Sequence, residues 1–234
     1  MNNIEAMPIT SSFKLLVAPE EQELYDDEVE KQVSAAWEHC QKITDWDLFD
    51  GKVFQLLKLG KNCLHGNFIN YRYFYTQHKY PELKEKLAIT LVGVTAVLRC
   101  GNQILLAKRS EKVTQYPGKW EFAPSGGIAI DYLTDHTVDY EKQIFEELTQ
   151  EVGMDEVFVE SVKPLLFVRD KQDLMADIVC QMDVDRLGAE SASYDSWEYT
   201  DYRWLKQDEI TEFIRIYSTE VIPNVSVINN FLVE

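Results

Sequence analysis

Residues 88–110 constrain the fold more than any other stretch. They read AITLVGVTAVLRC, then Gly101-Asn102, then QILLAKRS. Two apolar, β-rich runs on either side of a Gly-Asn pair predict a hairpin, because a two-residue turn of this kind needs positive φ, which glycine and asparagine tolerate.

Around that hairpin the chain alternates between β and α patterns. A polar loop, EKVTQYPGK, leads to WEFAPSGGI, where Trp120 and Phe122 flank Glu121 in the manner of a core strand. A helix is predicted from about Val138 to Val152, ended by Gly153. Strands are expected at about 157–168 and 176–184, and a last one at Tyr202–Leu205 runs into the helix DEITEFIRI. The order βββ, helix, βββ, helix predicts an α/β (α+β) fold, a mixed sheet sandwiched between helices.

Ahead of it, FKLLV (13–17) reads as a strand, and 26–43 as an amphipathic helix with acids in its first turn. A D-G turn introduces a strand within 49–60, and another is expected within CLHGNFINYRYF. The polar stretch 76–86 carries Pro81 and suggests a boundary: a small N-terminal α/β module over 1–87 and a main domain over 88–234.

Composition narrows the function classes. Of 234 residues, 40 are acidic and 23 basic, a net charge of −17, so duplex nucleic acid and anionic membranes are not expected partners. A phosphate ligand stays compatible with that charge when a divalent cation sits between it and the carboxylates. Cys40, Cys63, Cys100 and Cys180 form no C-x-x-C pair, which predicts reduced thiols and a cytoplasmic location. The opening MNNIEAMPITSSFKLL has no basic segment ahead of an apolar one, so no secretory leader is expected.

Chemistry concentrates in FEELTQEVGM (145–154). Glu147 and Glu151 are four residues apart, hence one turn and roughly 5–6 Å apart on one helix face. Gln150 joins that face and Glu146 borders it. Unpaired glutamates at this spacing repel, which a bound cation would relieve, although such a face is ordinarily a solvated one. Gly126 and Gly127 lie upstream, where the missing Cβ lets backbone approach a ligand.

Together these residues resemble the Nudix hydrolases, whose signature is G-x5-E-x7-R-E-U-x-E-E-x-G-U, with U apolar. Gly127 matches the first glycine, and Glu147, Leu148, Glu151, Gly153 and Met154 match the E-U, second E and G-U positions. LLAKRS, PGKWEF and RWLKQDEI agree with the flanking pattern, so the resemblance spans roughly residues 88–234. It implies the Nudix-type α/β/α sandwich and Mg²⁺- or Mn²⁺-dependent hydrolysis of a nucleoside diphosphate joined to another group.

The departures are specific. Glu146 stands where the family has the arginine that holds the catalytic glutamate, and Gln150 stands at a metal-ligating glutamate. The box is stretched by five residues, with an insertion in IAIDYLTDHTVDY; Asp131, Asp135 or Asp139 would replace its internal glutamate. The resemblance implies metal ligation by Glu147, Glu151 and Gln150, completed by Glu198 from the loop before the last strand, with Asp201 second. Asp170, Asp173 and Asp177 stand behind these, since turns collect aspartates. Glu198 or Glu151 would be the general base. Arg109 is the expected phosphate clamp, since a guanidinium pairs bidentately with phosphate oxygens.

The N-terminal stretch WDLFDGKVFQLLKLG, followed by NYRYFY, is similar to the UDP-sugar diphosphatase branch, which implies hydrolysis of UDP-glucose or UDP-galactose to UMP and a sugar 1-phosphate. Tyr71, Tyr73, Phe74 and Tyr75 then offer faces for a uridine ring, with Tyr73 named for that role, while the same alternation is also what a half-buried strand looks like. His136, in the insertion, is the one histidine near the box. ADP-ribose, a dinucleotide or a cap-like nucleotide are the other Nudix substrates in view, and a nucleotide-binding module with little turnover is the non-enzymatic alternative. A homodimer is compatible with the resemblance.

Overall fold

The computed structural model describes residues 3–18, 25–44, 48–194 and 197–233. Trp46 and Asp47 of the WDLFDG stretch, and Asp195 and Ser196 ahead of Trp197, lie outside the described residues. In chain order the elements are β1 (Ile4–Pro8), β2 (Lys14–Val17), α1 (Asp27–Ile43), β3 (Lys52–Leu59), β4 (Cys63–Asn70), α2 (Tyr71–Lys79) and α3 (Pro81–Leu87). Then follow β5 (Leu91–Cys100), β6 (Gln103–Arg109), β7 (Trp120–Phe122), β8 (Ser125–Gly127), β9 (Leu133–Thr134), β10 (Thr137–Val138) and α4 (Tyr140–Glu151). The chain closes with β11 (Val159–Asp170), β12 (Met175–Val184), α5 (Arg186–Ser191), β13 (Tyr199–Lys206), α6 (Gln207–Ile216) and α7 (Pro223–Val233).

The centre of the mixed sheet is β5. It runs parallel to β12 along Leu91–Arg99, and β11 and β1 extend the sheet beyond β12 by antiparallel pairing. Residues Leu91 to Leu98 are all buried, as expected of a strand covered on both faces. One face packs Val92, Val94, Ala96 and Leu98 against Ile144 and Leu148 of α4. The other packs Val97 with Val179 of β12 and Ile210, Val225 and Ile228 of α6 and α7. Each fully buried side chain of this size contributes roughly 1.5–3 kcal/mol of transfer free energy. The result is the expected mixed sheet between helical layers. No helix among the described residues is long and apolar enough to cross a membrane.

The hairpin at Gly101 forms as read, with φ +59 at the glycine. Its strands stay paired only at Arg99↔Ile104 and Cys100↔Gln103. Beyond that, β6 swings away to pair with β7 and β13, and β8 takes the vacated edge of β5 at residues 93–95. The divergence opens a cleft. On the face that carries Val97, the alternation brings Thr95, Gly93 and Leu91 toward it, so the cleft floor continues the apolar layer under α7 at the end where that helix begins.

Two expectations need revision. The aromatic segment Tyr71–Lys79 is helical: Tyr73 and Phe74 pack with Val33, Ala36 and Leu83, and Tyr75 with Trp37 and Cys40. Packing against α1 and α3 has overridden strand-like alternation. The segment before residue 88 is also woven into the main sheet. β1 pairs with β11, β2 with β10 of the insertion, and β3 meets β5 at Gln55↔Leu91. Ile9, Phe13, Leu15, Phe54 and Leu64 share one core with Val92, Ile144 and Phe167, so packing crosses the boundary drawn at 87.

Candidate active site

Helix α4 is bounded by its own chemistry. The Asp139 side chain accepts from the Lys142 N–H (3.1 Å), and Gly153, at φ +65, takes the left-handed turn that ends the helix. Ile144 and Leu148 bind it to the core, which turns Glu147 and Glu151 toward the cleft past β8. Gly126 of β8 faces Glu147 directly, and a Cβ there would overlap the Glu147 carboxylate. This glycine is required by a close approach, not by its φ.

Glu147 Oε1 accepts from Gln143 Nε2 at 2.7 Å. Burial, reinforced by the neighbouring Glu146 and Glu198 charges, pushes its carboxyl up to about 7. Glu151 is 5% exposed, and its Oε2 accepts from the Ser125 N–H (2.8 Å) and the Tyr199 hydroxyl (3.2 Å). Burial, followed by repulsion from Glu147, raises its carboxyl well above the ordinary range despite the Ser125 donor.

A second buried acid stands behind them. Glu121, 4% exposed, accepts from the Tyr199 hydroxyl at 3.1 Å and is ion-paired with Arg109. Arg109 also donates from Nε to the Gln115 carbonyl (2.9 Å). The guanidinium expected to clamp phosphate is therefore on the cleft wall but committed to Glu121. Glu121, Arg109, Tyr199 and Glu151 form one buried chain across β7, β6, β13 and α4. In the sequence, WEF has the pattern of a core strand and does not mark Glu121 as a site residue. The signal was there, since an acid between two aromatics on a buried strand demands a partner.

Glu121, Arg109, Glu147 and Glu151 line a cavity of about 670 Å³ together with Gly127, Tyr71, Lys112, Trp197, Glu198, Asp177 and Asn224. Glu198 is on the wall, half-buried, with its carbonyl accepting from Ser110 N–H at 2.7 Å. Lys112 sits over the Trp197 ring (4.9 Å to the centroid), and both belong to the same wall.

Several predicted residues stand elsewhere. Gln150 is exposed, is not part of the cavity wall, and donates to Glu146 at 3.0 Å. At 100° per residue it is turned about 60° from Glu147 to the side opposite Glu151. Tyr73 points into the helical core, where its hydroxyl donates to Glu30 at 2.9 Å; Tyr71 of the same helix lines the cavity instead. Asp139 caps α4, Asp135 and His136 occupy a turn at φ 45 and 67, and Asp131 lies on a single 3-10 turn. None of these four lines the cavity. Asp201 is exposed beside Arg203, and Asp173 accepts from the Tyr116 hydroxyl (2.6 Å). Asp170 caps the β11–β12 turn while touching the cavity, and Asp177 lies deep in it.

The donor set suits a hard divalent cation: carboxylate oxygens held in a cradle that only glycine at 126 leaves open. Among the described residues no three His, Cys, Asp or Glu side chains converge into a finished cage. Mg²⁺ in particular is commonly held by one or two carboxylates, with water and substrate phosphate completing the shell.

No protein-family model matches the sequence, and no curated protein does. Solved structures do. A C. elegans Ap4A hydrolase aligns over 60% of this chain and 93% of its own, at 13% identity and a TM-score of 0.43. A Nudix-family hydrolase from Clostridium perfringens aligns over 59% and 92%, at 13% identity and a TM-score of 0.38. A bifunctional NMN adenylyltransferase/ADP-ribose pyrophosphatase from Francisella tularensis aligns over 68% of this chain and 45% of its own, at 15% identity and a TM-score of 0.49. By name these are hydrolases or pyrophosphatases, and one is named for the Nudix family, which the sequence itself resembles.

Proposed function

We propose that this chain is a Nudix-type, metal-dependent diphosphatase that splits a nucleoside diphosphate from the group it carries, a nucleotide-sugar first among the candidates. The observation that carries the reading is the pair Glu147 and Glu151: a half-buried and a buried carboxylate, mutually repelling, one turn apart on the wall of one cavity. A fold gains nothing from such a pair without a ligand for it.

Glu147 and Glu151 would hold Mg²⁺ or Mn²⁺, which when bound supplies charge neutralisation and Lewis acidity to the diphosphate. The protein's own groups supply the rest. Gly127, with open space where a Cβ would be, admits the diphosphate against backbone, while Gly126 makes room for Glu147. Ser125 N–H and the Tyr199 hydroxyl fix Glu151. Glu198, on the open wall, takes the proton of the attacking water as its oxygen bonds to phosphorus and the bridging P–O bond breaks, the electron pair leaving with the departing phosphate. Lys112 is the cavity cation not committed to a buried partner, and is the phosphate contact in place of Arg109. Tyr71 and Trp197 offer faces to a base or sugar. The four free cysteines support a reducing, cytoplasmic setting.

The test is a panel of UDP-, ADP- and GDP-sugars, ADP-ribose and a dinucleoside polyphosphate, with Mg²⁺, Mn²⁺ or EDTA and products separated by chromatography. Metal-dependent release of a nucleoside monophosphate is expected, and Glu151→Gln is expected to lower kcat at least 100-fold. A second reading, a nucleotide-binding module, draws on Glu146 in place of arginine and on Gln150 facing solvent. It is preferred if nucleotide binds independently of metal and nothing is turned over.

A further inference from the structure

The diphosphatase reading uses Glu147, Glu151 and Glu198 and leaves two polar side chains of the same cavity wall unexplained. These are Asp177 of β12 and Asn224 at the start of α7, in a wall that also holds the apolar side chains of Val168, Met175 and Ile222. Asn224 Nδ2 donates to Asp177 Oδ2 at 2.9 Å. The carboxylate thereby fixes which way the amide faces, since only its nitrogen can donate. Asn224 Oδ1 is then shut away from water with no donor in the protein, one of three such side-chain atoms among the described residues. Buried polar atoms are normally satisfied, so an orphan acceptor in a cavity wall points to a donor brought by a ligand.

Register places this pair relative to the chemistry. Gly127 pairs with Gly93, and Gly93 with Asp177, so the three lie in one row across β8, β5 and β12. Two strand spacings, roughly 9–10 Å, separate the backbones of Gly127 and Asp177. The residue between them is again glycine, and a Cβ at Gly93 would sit 3.0 Å from Asp177 Oδ1 and 2.8 Å from the Gly126 carbonyl. The Asp177 carboxylate thus leans over Gly93 toward the glycine cradle.

We propose that Asp177 and Asn224 are the specificity end of the cavity, accepting hydrogen bonds from a neighbouring pair of donors on the group attached to the diphosphate. The chemistry is that of a neutral moiety with two adjacent donors, which a sugar diol and the amino–imino edge of guanine both present. The apolar side walls suit either, and disfavour a charged group. This rests on the diphosphatase reading and extends it to substrate choice. Asp177 acts by binding; no bond is made or broken there.

The experiment measures kcat and KM with Mg²⁺ for wild type, Asp177→Asn and Asn224→Leu. The substrates are UDP-glucose against UDP-2-deoxyglucose, and GDP-mannose against IDP-mannose, which lacks the guanine amino group. Wild type is expected to disfavour one deleted-donor analogue by at least tenfold in kcat/KM, and which analogue identifies sugar or base. Asp177→Asn keeps the side-chain shape; it is expected to raise KM about tenfold for the intact substrate, leave kcat within threefold, and abolish the discrimination. If Asn224→Leu fails to fold, Asp177→Asn decides alone. Equal rates on both members of both pairs, or discrimination that survives Asp177→Asn, overturn the proposal while leaving the diphosphatase reading intact. An enzyme that hydrolyses no diphosphate on the wider panel brings down that reading instead, and this proposal with it.

Discussion

Replacing Glu147 with glutamine is expected to stabilise the metal-free protein at pH 8 while removing activity. The carboxyl lies near 4.5 when the chain is unfolded and is pushed up to about 7 in the folded state, chiefly by burial. Between those values the folded protein holds a proton that the unfolded chain has released. Stability from this group is therefore complete below about pH 4.5, falls as pH rises through the interval, and is gone above about 7. The 2.5-unit gap, at 1.36 kcal/mol per unit, amounts to about 3 kcal/mol. Glutamine is neutral throughout and can still accept from Gln143. In EDTA, then, Glu147→Gln matches wild type near pH 4.5 and exceeds it by about 3 kcal/mol at pH 8. For a chain of this size that is roughly 6–12 °C in Tm. The difference between variant and wild type is what is read, because the net charge of −17 shapes both profiles alike. Mg²⁺ at pH 8 is expected to raise the wild-type midpoint and to leave the variant nearly unmoved. A variant less stable than wild type at pH 8, or a gap that does not change with pH, would refute the idea that this acid is held against its own charge for the sake of a cation.

Tyr199→Phe keeps the buried ring and removes the hydroxyl shared by Glu121 and Glu151. The loss of one hydrogen bond to a charged group, about 1.5–3 kcal/mol, is expected to lower kcat by roughly 10- to 100-fold with little change in KM. A change confined to KM would show that Tyr199 contacts substrate and does not position Glu151. Arg109→Met leaves Glu121 buried and unpaired, so denaturant unfolding is expected to show a loss of about 3–5 kcal/mol, most of it recovered in the Arg109→Met/Glu121→Met double variant. If the single variant keeps wild-type stability and only its KM rises, Arg109 is a phosphate clamp after all.

How much of this could be read beforehand depended on whether the deciding interactions were local. The end of α4 at Gly153, the hairpin at Gly101 and the strands β11 and β12 are set by neighbours a few residues away, and periodicity found them. The Glu147–Glu151 spacing is local too, and the structure brings both to one cavity wall. Gln150 shares their spacing and stands at a metal-ligating position of the signature, yet the helix turns it out to solvent. The aromatic run at 71–75 fits a strand until α1 and α3 are present to pack on it. Nothing near β1 or β2 announces partners at β11 and β10, more than 100 residues on. Glu121 was hidden by its own neighbours, because two large aromatics beside an acid look like core and its partners Arg109 and Tyr199 are reached only across the sheet.

The same distinction explains how the altered box is compatible with an ordered site. A resemblance judged by adjacent residues sees an acid at 146 where a positioning arginine is expected, and infers a loosened glutamate. In space, Glu151 is held by a backbone donor 26 positions earlier and a tyrosine 48 positions later. The tyrosine in turn touches Glu121, whose charge is matched by Arg109. The positive charge coupled to Glu151 thus sits on β6 and reaches it through a carboxylate and a hydroxyl. An arginine beside Glu147 would stabilise its charged form, whereas Glu146 disfavours it. The prediction that follows for Glu146→Gln has a definite sign. Removing that neighbouring charge lowers the Glu147 carboxyl, so the metal-free protein gains stability at pH 8, by less than Glu147→Gln because burial remains the larger cause. Activity is retained, since Glu147 itself is kept. A Glu146→Gln protein destabilised at pH 8 in EDTA would mean that the charges on this helix face are satisfied from within the protein, and that no cation is needed to account for them.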